Sequence, residues 1–458
     1  MTSTLSSITS MALRSCLPSI SDSVKLTNIA NEVMKQVRKH PSPRITGVVM
    51  GGSFAKGTWI KDDADLDIFV KIDPLVDKVE FERLGKEIGL LALKRYKPQL
   101  RYSEHPYVEA FVKNVRVNIV PCYDVEAGKW KSAADRSPFH TEYIKSKLEK
   151  QMRQEVRLLK KFLKSVGVYG AEIAKSGLSG YVTEILILRY GSFISTLQAI
   201  ANIDSRRHII SVCQVDNDVV KTFQSDIIII DPIDPRRNLG TAISAESLGK
   251  FILASRAFIQ RPSVDFFRQG RRKKPKTLKL DSNLLIIEFK FRQRSPDIIW
   301  GQLKKTLNSI SKQMQMAHFN VVRSTCVTDE RGFAALVFLL QSITLPPFIE
   351  RMGPEVFRKK ESASFISKNE KDSILMWVNR EMRLTGLFKT RIPDAREYVH
   401  LLLSKGIESI GVTKGLRMDL RNGTLKIYTG DEKGMMKGIV KQAANEVVTT
   451  ERFITQQY

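Results

Sequence analysis

The most constraining feature of the chain is the run Gly51-Gly52-Ser53-Phe54-Ala55-Lys56-Gly57, entered from the β-branched stretch Ile45 to Met50 and followed shortly by Asp65-Leu66-Asp67-Ile68-Phe69-Val70. Two glycines at the end of a strand let the backbone turn and approach a ligand closely. The residues after them open a helix whose N-terminal end, with the Ser53 hydroxyl and Lys56 ammonium nearby, favours an anion such as a phosphate. In the next strand, alternation puts Asp65, Asp67 and Phe69 on one face and Leu66, Ile68 and Val70 on the other. Paired carboxylates beside a phosphate cradle suit Mg²⁺, which takes oxygen ligands from one or two carboxylates plus substrate phosphates. The chemistry implied is nucleotidyl transfer. Neither half is specific alone; the order strand, Gly-Gly-Ser, helix, Asp-x-Asp strand carries the reading.

With 458 residues the chain has length for about three domains. Lys and Arg number 74 against 48 Asp and Glu, a formal net charge of +26, which points to a polyanionic partner without choosing between RNA and DNA. The four cysteines, Cys16, Cys122, Cys213 and Cys326, are far apart and show no metal-binding spacing, as expected of reduced thiols in a cytoplasmic protein. No apolar run approaches the roughly 20 residues that span a bilayer. The Ser/Thr-rich opening Met1 to Ile20 reads as part of the fold rather than a transit peptide.

Around the central motif, Leu26, Ile29, Ala30, Val33 and Val37 are spaced for an amphipathic helix that packs behind the sheet. Phe81 to Leu93 reads as a helix, and Tyr107 to Val112 with Val115 to Val120 as a hairpin turning at Lys113-Asn114. In its second strand Val115, Val117 and Ile119 face one way, Arg116 and Asn118 the other. Further on, the pattern predicts a buried strand Ile227 to Ile230. It also predicts strands Asn283 to Phe291, Asn320 to Thr328 and Gly332 to Leu340, and a helix Pro296 to Met316. The basic run Arg268 to Lys279 reads as an exposed linker. Arg383 to Lys389 reads as a basic strand or loop, and Arg396 to Lys405 as a helix.

The Gly-Ser and Asp-x-Asp segment resembles the nucleotidyltransferase superfamily that includes DNA polymerase β, poly(A) polymerases and CCA-adding enzymes. Further blocks are similar to the archaeal-type (class I) CCA-adding enzymes alone. They include Val117-Asn118-Ile119-Val120-Pro121-Cys122-Tyr123, Ser132 to Thr141, Glu155 to Glu172, Ser176 to Gly191 and Asp231-Pro232-Ile233-Asp234-Pro235-Arg236-Arg237-Asn238. The resemblance implies an α+β multidomain chain: a polymerase β-like nucleotidyltransferase catalytic domain over 1–145, a helical nucleotide-binding domain over 146–262, and a tRNA-binding α+β body and tail over 263–458. It implies addition of CCA to the tRNA 3′ end from CTP and ATP without a nucleic-acid template, by a mechanism with two Mg²⁺ ions. The tRNA would be gripped by its acceptor and TΨC arms, and the chain would be a homodimer.

Residue by residue, the resemblance places Asp65 and Asp67 on metal, Gly52, Ser53 and Lys56 at the triphosphate, and His140, Lys160 and Tyr169 at the triphosphate and sugar. Ser137 stands close by where the family has Thr, and Arg237 meets the incoming base. The departure that bears on catalysis is that the family's third catalytic aspartate is Asn118 here. An amide lacks the charge of a carboxylate and cannot act as a general base, though its carbonyl still offers a weak metal ligand. Glu109, Asp124 and Glu126 lie nearby in sequence, but none at the matching position. The departure leaves open a deliberately inactivated variant or a natural member with reduced or altered activity. Two other readings also stay open: a different terminal nucleotidyltransferase such as a poly(A) polymerase, and a tRNA-binding protein without catalysis.

Overall fold

The computed structural model describes residues 2–40, 42–61, 63–102, 105–268, 280–432 and 434–455. The basic linker predicted over 268–279 falls outside the described residues except for Arg268. The chain forms two compact units, residues 1–271 with 451–458, and residues 272–450.

In the first unit, α1 (Thr2–Cys16) and α2 (Ile20–Arg38) precede a five-stranded sheet. Ser19 caps α2 in a capping box with Asp22, and the five apolar positions read from the sequence are its buried face. The strands are β1 (Ile45–Gly51), β2 (Asp65–Ile72), β3 (Gln99–Tyr102), β4 (Pro106–Val112) and β5 (Val115–Tyr123), in the order β1-β2-β5-β4-β3. Only β2 and β5 run parallel. The one-turn helix α3 (Gly52–Lys56) links β1 to β2, and α4 (Lys78–Ala92) follows β2. Residues of α2 and α4 share a core with Leu66, Ile68, Val70, Val117 and Ile119, which are almost fully buried. Period-two alternation therefore leaves Asp65, Asp67, Arg116 and Asn118 on the opposite face. The Lys113-Asn114 turn has φ of +51° and +67°, the mirror-type geometry that matches strand twist in a two-residue hairpin.

A second core gathers α5 (Arg136–Lys147), α6 (Lys150–Val166), α7 (Gly180–Tyr190), α8 (Phe193–Ala201) and, after the short α9 (Asn217–Thr222), α10 (Ala245–Gln260). At its centre Phe162, Phe193, Phe258, Phe266 and Phe267 pack edge-to-face and stacked. Ile8 and Ala12 of α1 and Phe453 from the chain's end belong to this same core. Beside it lies a small sheet ordered β6 (His208–Ile210), β7 (Ile227–Asp231), β8 (Asp234–Asn238).

The second unit is α+β. Its four-stranded sheet runs Val321–Thr328, Phe333–Leu340, Leu284–Lys290, Lys426–Thr429. Leu285, Ile287 and Phe289 pack under the helices Pro296–Met316 and Ala395–Lys405, whereas Leu284 and Ile286 pack against Gly438–Val447. Burial on both faces explains why this strand reads as a continuous apolar run. The segment Arg383–Lys389, left between strand and loop by its composition, is the central strand of a separate three-stranded sheet with Phe348–Glu355 and Ser373–Val378.

Candidate active site

Gly51 ends β1 directly opposite Asp67 of β2. Gly52 has φ +67°, and a Cβ built on it would lie 2.0 Å from Asp67 Oδ2. The turn thus presses its backbone against a carboxylate, and both the dihedral and the distance require glycine. Behind it α3 closes after five residues at Gly57, in the left-handed region with φ +69°. The helix opens at the glycines as read from the sequence, but it is a single turn, so the cradle rests on the turn rather than on a sustained helix dipole. Arg157 of α6 fixes the loop by donating to the Gly57 carbonyl at 2.7 Å and the Trp59 carbonyl at 2.9 Å.

Across the sheet, Asp67, Asn118 and Glu109 stand in one row on neighbouring strands. The Asn118 amide nitrogen donates to Asp67 Oδ1 at 2.9 Å, while its Oδ1 is buried without a hydrogen-bond partner. Burial pushes the Asp67 carboxyl above the usual carboxylate range; the Asn118 amide opposes that shift and Asp65 adds to it. One step along the strand, the Arg116 guanidinium clasps both oxygens of Asp65, with Nε to Oδ1 at 2.8 Å and Nη2 on Oδ2. Of the three nearby acids, Glu109 alone joins the row, held by Arg101 at 2.7 and 3.0 Å. Asp124 pairs with Lys71 and Glu126 with Lys129. Among the described residues no group of three His, Cys, Asp or Glu side chains gathers to hold a metal. The donors on offer are therefore Asp65, Asp67 and the Asn118 oxygen.

Lys56 and Lys160 point into the protein and meet at Glu184 of α7. Lys56 Nζ lies 2.6 Å and Lys160 Nζ 3.6 Å from its carboxylate, and the Thr58 hydroxyl donates to it as well. Burial lowers Lys160 to about 8, against the pull of Glu184. Burial alone would raise Glu184, but the two lysines hold it below its ordinary value. The cluster thus sets two lysines against one carboxylate. No motif in the sequence marks Glu184 as a site residue; the signal for it is a lone acid inside the apolar helix Gly180–Tyr190, which is the mark of a buried pair. Glu184→Gln leaves both lysines without a counter-charge. It is expected to destabilise the first unit by about 3 kcal/mol, the lower end for breaking a buried pair, read as a lower urea midpoint.

Around the end of β7, His140 Nε2 is 2.8 Å from Asp231 Oδ2, the Tyr181 hydroxyl donates to Oδ1 at 3.1 Å, and Arg237 Nη1 donates to Oδ2 at 3.2 Å. Burial lowers the His140 imidazole although Asp231 pulls it upward. Arg237 lines an open cleft of about 840 Å³ with Trp130, Arg136, Ser179 and Asp234. Ser137 is half-buried in the first turn of α5, its carbonyl accepting from the Thr141 hydroxyl. Tyr169 packs its ring under the Lys164 ammonium at 4.8 Å, and its hydroxyl and Lys160 Nζ both adjoin Gly180. Ser53 is half-buried in α3 beside the turn.

Apart from Ser53 and Ser137, the anticipated residues thus fall into three adjoining groups: Gly52 with Asp65, Asp67 and Asn118; Lys56, Lys160 and Tyr169 near Glu184; and His140 and Arg237 on Asp231. Lys56 links them, since its charge acts on both Asp67 and His140 and lies 5.6 Å from the Tyr181 ring centre.

Residues 31–164 match the family model for a nucleotidyltransferase domain, 154–268 the tRNA nucleotidyltransferase second domain, and 281–406 the CCA-adding enzyme C-terminal domain. The chain is 34% identical over 443 residues to a CCA-adding enzyme of Methanocaldococcus jannaschii, covering 92% of this chain and 95% of that one. It is 36% identical over 349 residues to that of Saccharolobus shibatae, covering 76% and 80%. Among solved structures, Cid1 poly(U) polymerase bound to MgATP matches with a TM-score of 0.47 at 14% identity, over 58% of this chain and 98% of that one.

Proposed function

Since the chain belongs to the archaeal-type CCA-adding enzymes and acts in CCA addition to tRNA, we propose that its reaction takes place on the face of β2 and β5 beside the Gly51-Gly52 turn. The observation that carries this is the contact of Gly52 with the Asp67 carboxylate, which makes the phosphate turn and the acidic strand one site. There the tRNA 3′ hydroxyl attacks the α-phosphate of CTP or ATP; the new ester bond forms as the bond to pyrophosphate breaks.

The donor set suits Mg²⁺: two carboxylates, an unpartnered buried amide oxygen and an adjoining turn for phosphates. In the two-ion arrangement that the family reading calls for, Asp65 and Asp67 would hold the ions and Asn118 would serve as a neutral donor. Bound Mg²⁺ supplies a more acidic 3′ hydroxyl and charge compensation for departing pyrophosphate. Asn118 neither accepts a proton nor adds charge, so turnover is reduced relative to a chain with aspartate there.

Gly52 and Ser53 receive the triphosphate. The Lys56–Lys160–Glu184 cluster sets a net positive field beneath it, and Tyr169, His140 and Ser137 flank the sugar and phosphates. Arg237, steered by Asp231 into the cleft, meets the base. The core around the five-stranded sheet, Leu26 to Tyr123, supports a catalytic domain within the proposed 1–145, and the core of α5 to α10 supports a helical domain centred on the proposed 146–262, although Ile8 and Ala12 of α1 and Phe453 also pack into that second core. The body and tail, 263–458, bind the acceptor and TΨC arms by shape and phosphate contacts. We further propose a homodimer that works in the cytoplasm; among the described residues no helix is long and apolar enough to cross a membrane.

The test is incorporation of labelled CTP and ATP into tRNA lacking its 3′ CCA. Addition that stops after C, C and A is expected. A growing A tail identifies a poly(A) polymerase, and tRNA binding without incorporation a non-catalytic protein.

A further inference from the structure

We propose that Arg116 is a triphosphate ligand of this chain that is stored on Asp65 and released when metal and nucleotide arrive together. The proposal rests on the metal-binding reading of Asp65 above. Arg116 on β5 stands opposite Asp65 on β2 in the parallel ladder, and its fork covers both carboxylate oxygens. Those are the atoms a divalent ion needs. A guanidinium fork fits a phosphate as well as it fits a carboxylate.

Three features make the exchange feasible. The Arg116 side chain is 46% exposed and Asp65 37%, so the arginine can leave without disturbing a core. The other arginine on this face, Arg101, is committed to the buried Glu109. The Arg116 charge also faces Glu109 and Asp67, keeping it on this surface after it leaves Asp65. With an amide at Asn118, Asp65 and Asp67 are left as neighbouring like charges, and Arg116 neutralises one of them while no ion is bound. When Asp65 turns to an ion, the guanidinium is set free on β5, across β2 from the turn that receives the phosphates. Metal and triphosphate binding are therefore coupled through one side chain, each freeing the group that the other needs.

The experiment uses the full chain, with Arg116→Gln, Arg116→Lys and Asp65→Asn. Mn²⁺ affinity is measured without nucleotide by electron paramagnetic resonance, and CTP and CMP affinity by calorimetry in Mg²⁺ without tRNA. Arg116→Gln is expected to bind Mn²⁺ about five- to tenfold more tightly and CTP about five- to tenfold more weakly, with CMP unchanged. Arg116→Lys is expected to fall between. A merely structural arginine would weaken both together. Unchanged Mn²⁺ or CTP affinity in Arg116→Gln overturns the proposal, provided Asp65→Asn weakens Mn²⁺. If Asp65→Asn binds Mn²⁺ as the parent does, the metal reading of Asp65 fails first and the proposal with it.

Discussion

Gly52→Ala is expected to slow CCA addition by roughly 10²–10³-fold, since misplacing a reacting group by about 1 Å costs that order of rate and the left-handed backbone adds strain. The added Cβ would stand 2.0 Å from Asp67 Oδ2 and 2.9 Å from its Cγ. Neither partner can yield cheaply. Asp67 is tied to the Asn118 amide and its strand is paired on both sides, while the turn is fixed in register by Gly51 opposite Asp67. The methyl group therefore displaces either the carboxylate or the phosphate turn. The affinity for tRNA, which comes from charge and shape spread over the chain, is expected to stay within about twofold. Single-turnover rates with CTP, alongside filter binding of tRNA, separate the two effects. Full activity in Gly52→Ala would remove the turn from the site.

Much of this architecture was legible because it rests on local periodicities. The Asp65–Ile72 strand alternates largely between apolar and polar, the Lys113-Asn114 turn carries an asparagine that tolerates positive φ, and Pro296–Met316 has a proline at its first helical position and an apolar stripe. What the sequence hid depends on contacts between distant segments. Lys56 meets Glu184 across 128 positions, so a lysine that reads as a free phosphate ligand is half of a buried pair. The edge strand Lys426–Thr429 joins Leu284–Lys290 across more than a hundred residues, and four residues are too few to announce a strand by pattern. Arg116 reads as an ordinary outward-facing residue until the parallel register of β2 and β5 sets it against Asp65. The same register separates Glu109 from Asp124 and Glu126, three acids that sequence distance alone could not rank.

Asn118 is where family pattern and local chemistry disagree. Its amide nitrogen hydrogen-bonds Asp67 where a carboxylate would repel it, and its oxygen is left buried and unpartnered. Asn118→Asp restores a negative charge and a basic oxygen at the centre of the row Asp67, Asn118, Glu109. Restoring a general base at the reacting group is worth roughly 10²–10⁴ in rate. A third carboxylate also strengthens the hold on a divalent ion.

The most direct measurement is the turnover of labelled CTP and ATP on tRNA lacking CCA, parent chain against Asn118→Asp, at matched tRNA occupancy. Reaction on the β2–β5 face requires the substituted chain to be faster by about 10²-fold or more with unchanged tRNA affinity. Equal rates in the two chains would contradict it and place the missing carboxylate elsewhere.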